Sequence, residues 1–424
     1  MRLKISNGRI IDPANKLDQT GDLFIEAGHV VSIGKSPKGF KVEQEIDASN
    51  QIVCPGLVDL CARLREPGQE HKATIASETA AAATAGITSI CCPPDTIPVI
   101  DTPAVVELIF RRSSDSRKSR VFPLGALTYG LQSETLAEMD ALKAAGCIGV
   151  SNAYAPIVDT EVLRRALEYA VTCDITVHLY CEDDFLRNNG VAHEGPVSTR
   201  LGLPSIPTTA ETIAISRVLL LVEQTGARVH FCRISTARSI ELLAEAKSRG
   251  LDITADVGIA HLHLTDMDIS SFNTDCYVLP PLRSQRDKEG LRTGLANGTI
   301  TAICSDHQPH ESDAKSAPFS MTEPGASTIE VLLPLTLKLV RDNSLTLQQA
   351  IAALTSAPAE IAGIDAGNLS IGSRADVCIF DPEASWTVER KFLLSAGENT
   401  PFTSWEMTGK VTHTILDGNI IYQH

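Results

Sequence analysis

Residues 55–68 read PGLVDLCARLREPG. The stretch runs between two Pro-Gly breaks, apolar at first and polar from Cys61 onward. That is the pattern of a buried strand whose C-terminal end opens into a loop. Its polar end carries Cys61, Arg63 and Arg65. A guanidinium stays protonated and has no free lone pair, so Arg63 cannot hold a metal ion.

On either side of this strand the pattern differs. The first 54 residues (LKISNGRII, DLFIEAGHVVSIG, QEIDASNQIVCPG) alternate in the β manner with Asn-Gly and Ala-Gly punctuation, and RADVCIFDP, GKVTHTILDG and NIIYQ repeat that style near the C-terminus. Between them, short apolar runs with polar C-terminal ends alternate with helical stretches. ITSICCP precedes TPAVVELIFRRSS, and VFPLGAL precedes SETLAEMDALKAAG. ITVHLYCED, RVHFCRIS, DITADVG and ITAICSDH are separated by AETIAISRVLLLVEQTG and SIELLAEAKSRG. Repeated β-α units predict a parallel sheet, and eight of them close into a barrel. The expectation is an α/β chain: a (β/α)₈ TIM-type barrel over 55–366, with a small β-sandwich built from 1–54 plus 367–424. RRSSDSRKSR (111–120) reads as a solvated helix end.

The 424 residues are too many for one small core. An apolar share of 43% and a mean hydropathy of +0.03 suit a packed globular chain. The formal net charge of −15 argues against nonspecific nucleic-acid binding. No apolar run reaches about 18 residues, so no membrane span is expected. No secretory leader is legible at MRLKISNGRII, so the 11 cysteines are expected to be reduced and the chain cytoplasmic. Cys91-Cys92 reads as core packing.

In such a barrel the reactive groups stand at the C-terminal ends of the strands. Those ends give Cys61, Arg63 and Arg65; Pro93, Pro94, Asp95 and Thr96; Ser151 and Asn152; Tyr180, Cys181, Glu182 and Asp183; Arg233, Ser235 and Thr236; Gly258 and His261; and Asp306, His307 and His310. With these, LREPG (64–68), CEDDFL (181–186), GLPSIPTTAE (202–211), ISTARSIELL (234–243), PPLRS (280–284), SDHQPH (305–310) and the tail GENTPFTSWEMTGKVTHTILDG resemble class I dihydroorotases over nearly the whole chain. That resemblance implies reversible cyclisation of N-carbamoyl-aspartate by one or two zinc ions, with an aspartate on the last strand moving the proton. Carried over position by position, the metal shell collapses. The family's first two histidines fall on Cys61 and Arg63, its bridging residue near Ser151 and Asn152, and its next two histidines on Tyr180 and Arg233. Only Asp306 survives, and a zinc site wants at least three nitrogen, sulfur or carboxylate ligands. The implied substrate-binding remnant is Arg65, Asp95, which replaces an asparagine and would repel an acid, and His310; Leu279 replaces a second asparagine.

Bland readings stand beside each of these. His178 reads as a hydrogen-bonded core histidine, His230 as a packed one, His261 and His263 as an H-x-H spacing at a helix start, and Glu182-Asp183 as helix caps. No histidine can be placed beside Cys61, so a nucleophile there is not expected. Arg63 or Arg233 is expected to reach Asp306 and replace the charge of the lost metal. CCPP (91–94), HQPH, APF (317–319), TEPG (322–325) and AGEN (396–399) are similar to the inactive dihydroorotase-like chains that accompany aspartate carbamoyltransferase in some bacteria. The resemblance therefore implies a structural or assembly subunit with no metal and no catalytic residue. Its partner would be the transcarbamoylase catalytic chain, in a homodimer or larger hetero-oligomer. Two alternatives stay open: a hydrolase with one metal on Cys61, His178 and Asp306, and a ligand-sensing subunit.

Overall fold

Eight short strands form the centre of the computed structural model, which describes residues 1–424. They are β1 (Leu57–Asp59), β2 (Ile87–Cys92), β3 (Arg120–Pro123, running on into Gly125–Ala126), β4 (Val150–Ser151), β5 (Val177–Leu179), β6 (Val229–Phe231), β7 (Ile253–Gly258) and β8 (Ala302–Cys304). Each pairs in parallel with the next. The ring closes where Arg63 N donates to the His307 carbonyl at 2.8 Å and His307 N donates to the Cys61 carbonyl at 3.3 Å. Parallel neighbours need crossovers. These contain α1 (Ile75–Thr84), α2 (Pro103–Ser116), α3 (Met139–Ala144), α4 (Thr160–Thr172), α5 (Thr208–Thr225), α6 (Ala237–Ser248) and α7 (Gln285–Ala296), and α8 (Leu332–Arg341) follows β8.

Local chemistry sets the helix starts. Thr74 and Ser77 form a reciprocal cap on α1, Thr236 accepts from Ser239 N on α6, and Ser284 accepts from Asp287 N on α7. The main apolar core lies between ring and helices. A smaller cluster of Leu60, Cys61, Cys91, Ala302 and Cys304 lines the inside.

The chain's two ends form one hydrogen-bonded sheet. Its order is Asn419–Gln423, Glu406–Leu416, Val377–Thr387, Ile52–Pro55, Arg2–Asp12, Leu17–Glu26, His29–Ile33, with Gln44–Asp47 also on Arg2–Asp12. It folds over its own core, including Leu3, Ile5, Ile25, Val53, Val377 and Ile415.

Two expectations change. The helix read over SETLAEMDALKAAG shrinks to α3, because Tyr129 N donates to the Thr135 carbonyl and Ala137 N to the Leu127 carbonyl, holding 135–137 extended. Arg120, read as part of a solvated end, begins β3 instead. It pairs with Asp376 and with Asp417, tying barrel to sheet.

Gly86 has φ +80° just before β2, and a Cβ there would collide with the Cys378 sulfur. Gly86→Ala is therefore expected to lower unfolding free energy by about 2–3 kcal/mol in urea titrations. Gly202→Ala, with φ +67° but open space around it, should lose only the backbone part, about 1 kcal/mol.

Candidate functional site

At the C-terminal ends of β1, β6 and β8 two guanidiniums flank one carboxylate. Arg63 Nη1 and Arg233 Nε each lie 3.6 Å from Asp306 Oδ1. Arg63 and Arg233 are 4% exposed and Asp306 is 8% exposed, so the pairing takes place out of bulk water. Arg63 is shared: its Nε donates to Asp95 Oδ2 at 2.7 Å. Asp95 is thus not a free repelling charge, as its sequence position suggested; Arg63 neutralises it and holds its carboxyl below the usual range despite burial. Arg233 Nη1 donates to Cys61 Sγ at 3.1 Å and Nη2 to the Ala153 carbonyl at 3.2 Å. Burial raises the pKa of Asp306, while Arg233 and Arg63 oppose that shift.

Tyr154, which was not among the candidate residues, fills the space between these groups. The Arg63 guanidinium lies 4.3 Å from its ring centre and that of Arg233 4.6 Å, with Tyr180 packed edge-on at 4.8 Å. Such stacking suits desolvated guanidiniums. Tyr154 Oη sits 2.7 Å from the Leu279 carbonyl and 3.2 Å from Asp306 Oδ1, and accepts from Gln308 Nε2 at 2.8 Å. The only signal was an aromatic residue just past the polar end of β4. Arg65, Ala153, Arg233 and Asp306 all have positive φ. Non-glycine residues in that region store strain and cluster at functional sites.

The other residues singled out from sequence lie around this cluster. Asn152 is spent on backbone: Oδ1 accepts from Tyr180 N, and Nδ2 donates to the Tyr180 and Ala155 carbonyls, each at 2.9 Å. Ser151 Oγ accepts from Ala153 N. Arg65 donates to the Pro309 carbonyl at 3.0 Å and lies 2.9 Å from His310 Nε2. Burial, then Arg65 and Lys72, push His310 down to about 2, so it is neutral. Asp183 caps Asp184–Arg187 as expected, but Glu182 turns inward, with Arg187 3.5 Å away. His261 Nε2 lies 2.9 Å from the Pro280 carbonyl, and His263 Nε2 is buried without a hydrogen-bond partner.

The donor set does not fit zinc. Cys61 Sγ lies 3.6 Å from Asp306 Oδ1, but two guanidiniums already take that sulfur, Arg233 Nη1 at 3.1 Å and Arg63 Nη1 at 3.7 Å, and fixed cations beside it repel a further one. His178 does not join them. It sits against His230, ring centres 5.1 Å apart, and its Nε2 has no protein partner, contrary to the hydrogen-bonded histidine read from sequence. Its strand partner is Ser151, and its ring lies against Gly149, where a Cβ would strike Cδ2 and Nε2. His178, His230 and Cys232 do bring ligand atoms within 4.8 Å of one another. Both nitrogens of His230 are committed, however: Nδ1 lies 2.8 Å from Thr254 Oγ1 and Nε2 2.9 Å from Asp256 Oδ2.

Little space remains at the mouth. A cavity of about 10 Å³ lies beside Arg63, Arg65 and Asp95 and one of about 20 Å³ beside Asn152, Tyr180 and Glu182. Each holds about one water, whereas small-molecule sites span about 300–1,000 Å³. A cavity of 520 Å³ lies elsewhere, between α1, α8 and the terminal sheet.

The resemblance motifs are used as structural ties. Glu211 accepts from the backbone N–H groups of Ser235 and Thr236 and from the hydroxyls of Ser235, Thr236 and Ser239. Arg283 donates to Ser235 Oγ and the Ile206 carbonyl. Asn399 donates to the Gln308 and Gly325 carbonyls and accepts from His310 N.

A closed β/α ring with strained, polar strand ends and a sheet built from both chain ends defines an amidohydrolase-type barrel. The L-hydantoinase (dihydropyrimidinase) from Arthrobacter aurescens superposes with TM-score 0.89 at 22% identity, covering 99% of this chain and 96% of that one. The Dihydro-orotase-like family model matches residues 50–239 and the Amidohydrolase family model residues 333–422. A "Dihydroorotase-like protein" of Pseudomonas aeruginosa is 47% identical over 100% of both chains. A "Dihydroorotase" of Geobacter sp. strain M21 is 42% identical, again over 100% of both. The chain belongs to the dihydroorotase-like family of the amidohydrolase superfamily. No helix is long and apolar enough to cross a membrane.

Proposed function

We propose that this chain is a catalytically inactive member of the family, serving as a structural and assembly subunit of aspartate carbamoyltransferase in pyrimidine biosynthesis. One observation carries the inactivity: Arg63 and Arg233 flank Asp306 where a dihydroorotase needs metal-bound hydroxide. Cations beside the last carboxylate supply the charge that a metal would, but no lone pair to hold one and no activated water. Tyr154 fills the remaining room, which also disfavours a ligand-sensing mouth. The partner follows from the likeness of CCPP, HQPH, TEPG and AGEN to inactive chains of that kind.

The expected result is a purified chain with no stoichiometric zinc and no chelator-sensitive dihydroorotate turnover, which co-purifies with a transcarbamoylase chain and raises its thermal midpoint. Bound zinc together with turnover lost to chelator would reverse the reading toward a hydrolase. Absence of any complex with the transcarbamoylase chain would remove the assembly role while leaving the inactivity intact.

A further inference from the structure

We propose that the 520 Å³ cavity between α1, α8 and the terminal sheet binds a small organic cation, an ammonium group carried on a compact apolar body. This stands independently of the function proposed above.

Size and lining suit a small molecule. Such sites span about 300–1,000 Å³ and are mostly apolar, with a few placed polar groups. Trp386, Tyr422 and Leu333 line this one. Trp386 Nε1 donates to the Gly409 carbonyl at 3.2 Å, so its N–H is spent and its ring offers the cavity π-surface. Phe392 and Leu394, 65% and 55% exposed, stand at the rim. Aromatic faces attract cations. Phe392 already holds one, with Lys391 Nζ 4.7 Å from its ring centre.

Charge decides the sign of the ligand. Glu330, in the turn before α8, accepts from Leu394 N at 2.8 Å and from Ser395 N at 3.0 Å. Thr84 Oγ1 lies 3.4 Å from Glu330 Oε1, but it donates at 2.7 Å to the Ala81 carbonyl. No lysine or arginine pairs with Glu330. Burial raises its pKa, and neighbouring Glu78 adds to the rise. His307 does not serve it, being 2.7 Å from Glu78. Tyr422 lies near enough for Glu330 to push its phenol pKa up further than burial does, which sets ring and carboxylate side by side. Buried charges are normally paired, and a carboxylate with no cation beside aromatic rings selects one. The chain's own cations nearby are engaged or turned away. Lys391 is 2.7 Å from Glu389. Lys410 borders the cavity, but Val411 next to it packs in the main core, so strand alternation turns Lys410 to the other face.

The test is calorimetric titration of the full-length chain near neutral pH with phenethylamine, phenethyl alcohol and hydrocinnamate. These carry a cation, a neutral group and an anion on the same phenylethyl body. Phenethylamine is expected to saturate with a dissociation constant of about 1 mM or less. It should bind at least about tenfold more tightly than the alcohol, and hydrocinnamate more weakly than either. Glu330→Gln should bring the amine down to the affinity of the alcohol. Trp386→Leu guards against a folding failure in that variant, and should weaken the amine about fivefold and the alcohol less. No saturable amine binding at millimolar concentration would overturn the proposal. Hydrocinnamate binding as tightly as the amine would do so too, because the site would then belong to Lys410. Amine selectivity untouched by both substitutions would place the amine elsewhere and end the idea. A transcarbamoylase complex lost on Trp386→Leu, with no amine binding to the free chain, would give the cavity to a side chain of that partner instead.

Discussion

Arg233→Ala is expected to cost about 3–5 kcal/mol of unfolding free energy, because it leaves Asp306 buried with half of its compensating charge. Arg63 cannot take over fully, since its Nε already serves Asp95. Arg63→Ala should cost less: Arg233 would remain on Asp306, and the Asp95 side chain is 26% exposed and can turn to water. The decisive measurement is a double-mutant cycle. Asp306→Asn in the Arg233→Ala background should recover part of the loss, giving a coupling of about 1–3 kcal/mol. Coupling near zero would mean that Arg233 matters only for its packing on Tyr154 and Tyr180, and the charge-replacement account would fail. Asp306→Asn alone should also destabilise, by about 2–4 kcal/mol, because it leaves Arg233 buried without a carboxylate partner, while Arg63 keeps Asp95.

Acid should unfold this protein early, with a loss of about 3 kcal/mol between pH 7 and pH 5.5. Burial, helped by neighbouring cationic groups, pushes His178 and His263 down to about 3 and His310 down to about 2. In the unfolded chain each titrates near its ordinary value of about 6.5. Between those values the unfolded state binds protons that the folded state does not. Their stabilisation is therefore complete above pH 6.5 and drains away as pH falls through 6.5 toward 3. Asp59 works in the opposite direction. Burial raises it to about 6, so the folded state gains a proton first and recovers about 1 kcal/mol over the same interval. Thermal midpoints across this range should fall steeply, and His178→Gln should flatten the fall by about a third. A level profile would show that these imidazoles are not held neutral.

Much of the barrel was legible because each part is local. Cys61, Arg63 and Arg65 announce a polar strand end, CRIST and CSDH do the same for β6 and β8, and AETIAISRVLLLVEQTG is long enough to declare a helix. The SETLAEMDALKAAG stretch misled because its propensity is helical, while distant carbonyls at Leu127 and the Thr135–Tyr129 contact hold it extended. At the mouth, substitution of five ligand positions followed from the resemblance carried over residue by residue, and Arg63 or Arg233 reaching Asp306 followed from the cost of an unpaired buried carboxylate. Tyr154, the pairing of Asp95 with Arg63 and the isolation of His178 from Cys61 were not legible.

From the sequence came the identity of the groups at each strand end, and so the poverty of metal donors, because a guanidinium lacks a lone pair wherever it is placed. The tertiary structure alone decided which of those groups meet. Arg63 meets Asp95 across 32 positions and Tyr154 meets Asp306 across 152. Closing eight strands into a ring sets distances between their ends that no local pattern encodes, and Coulomb energy and packing depend on those distances.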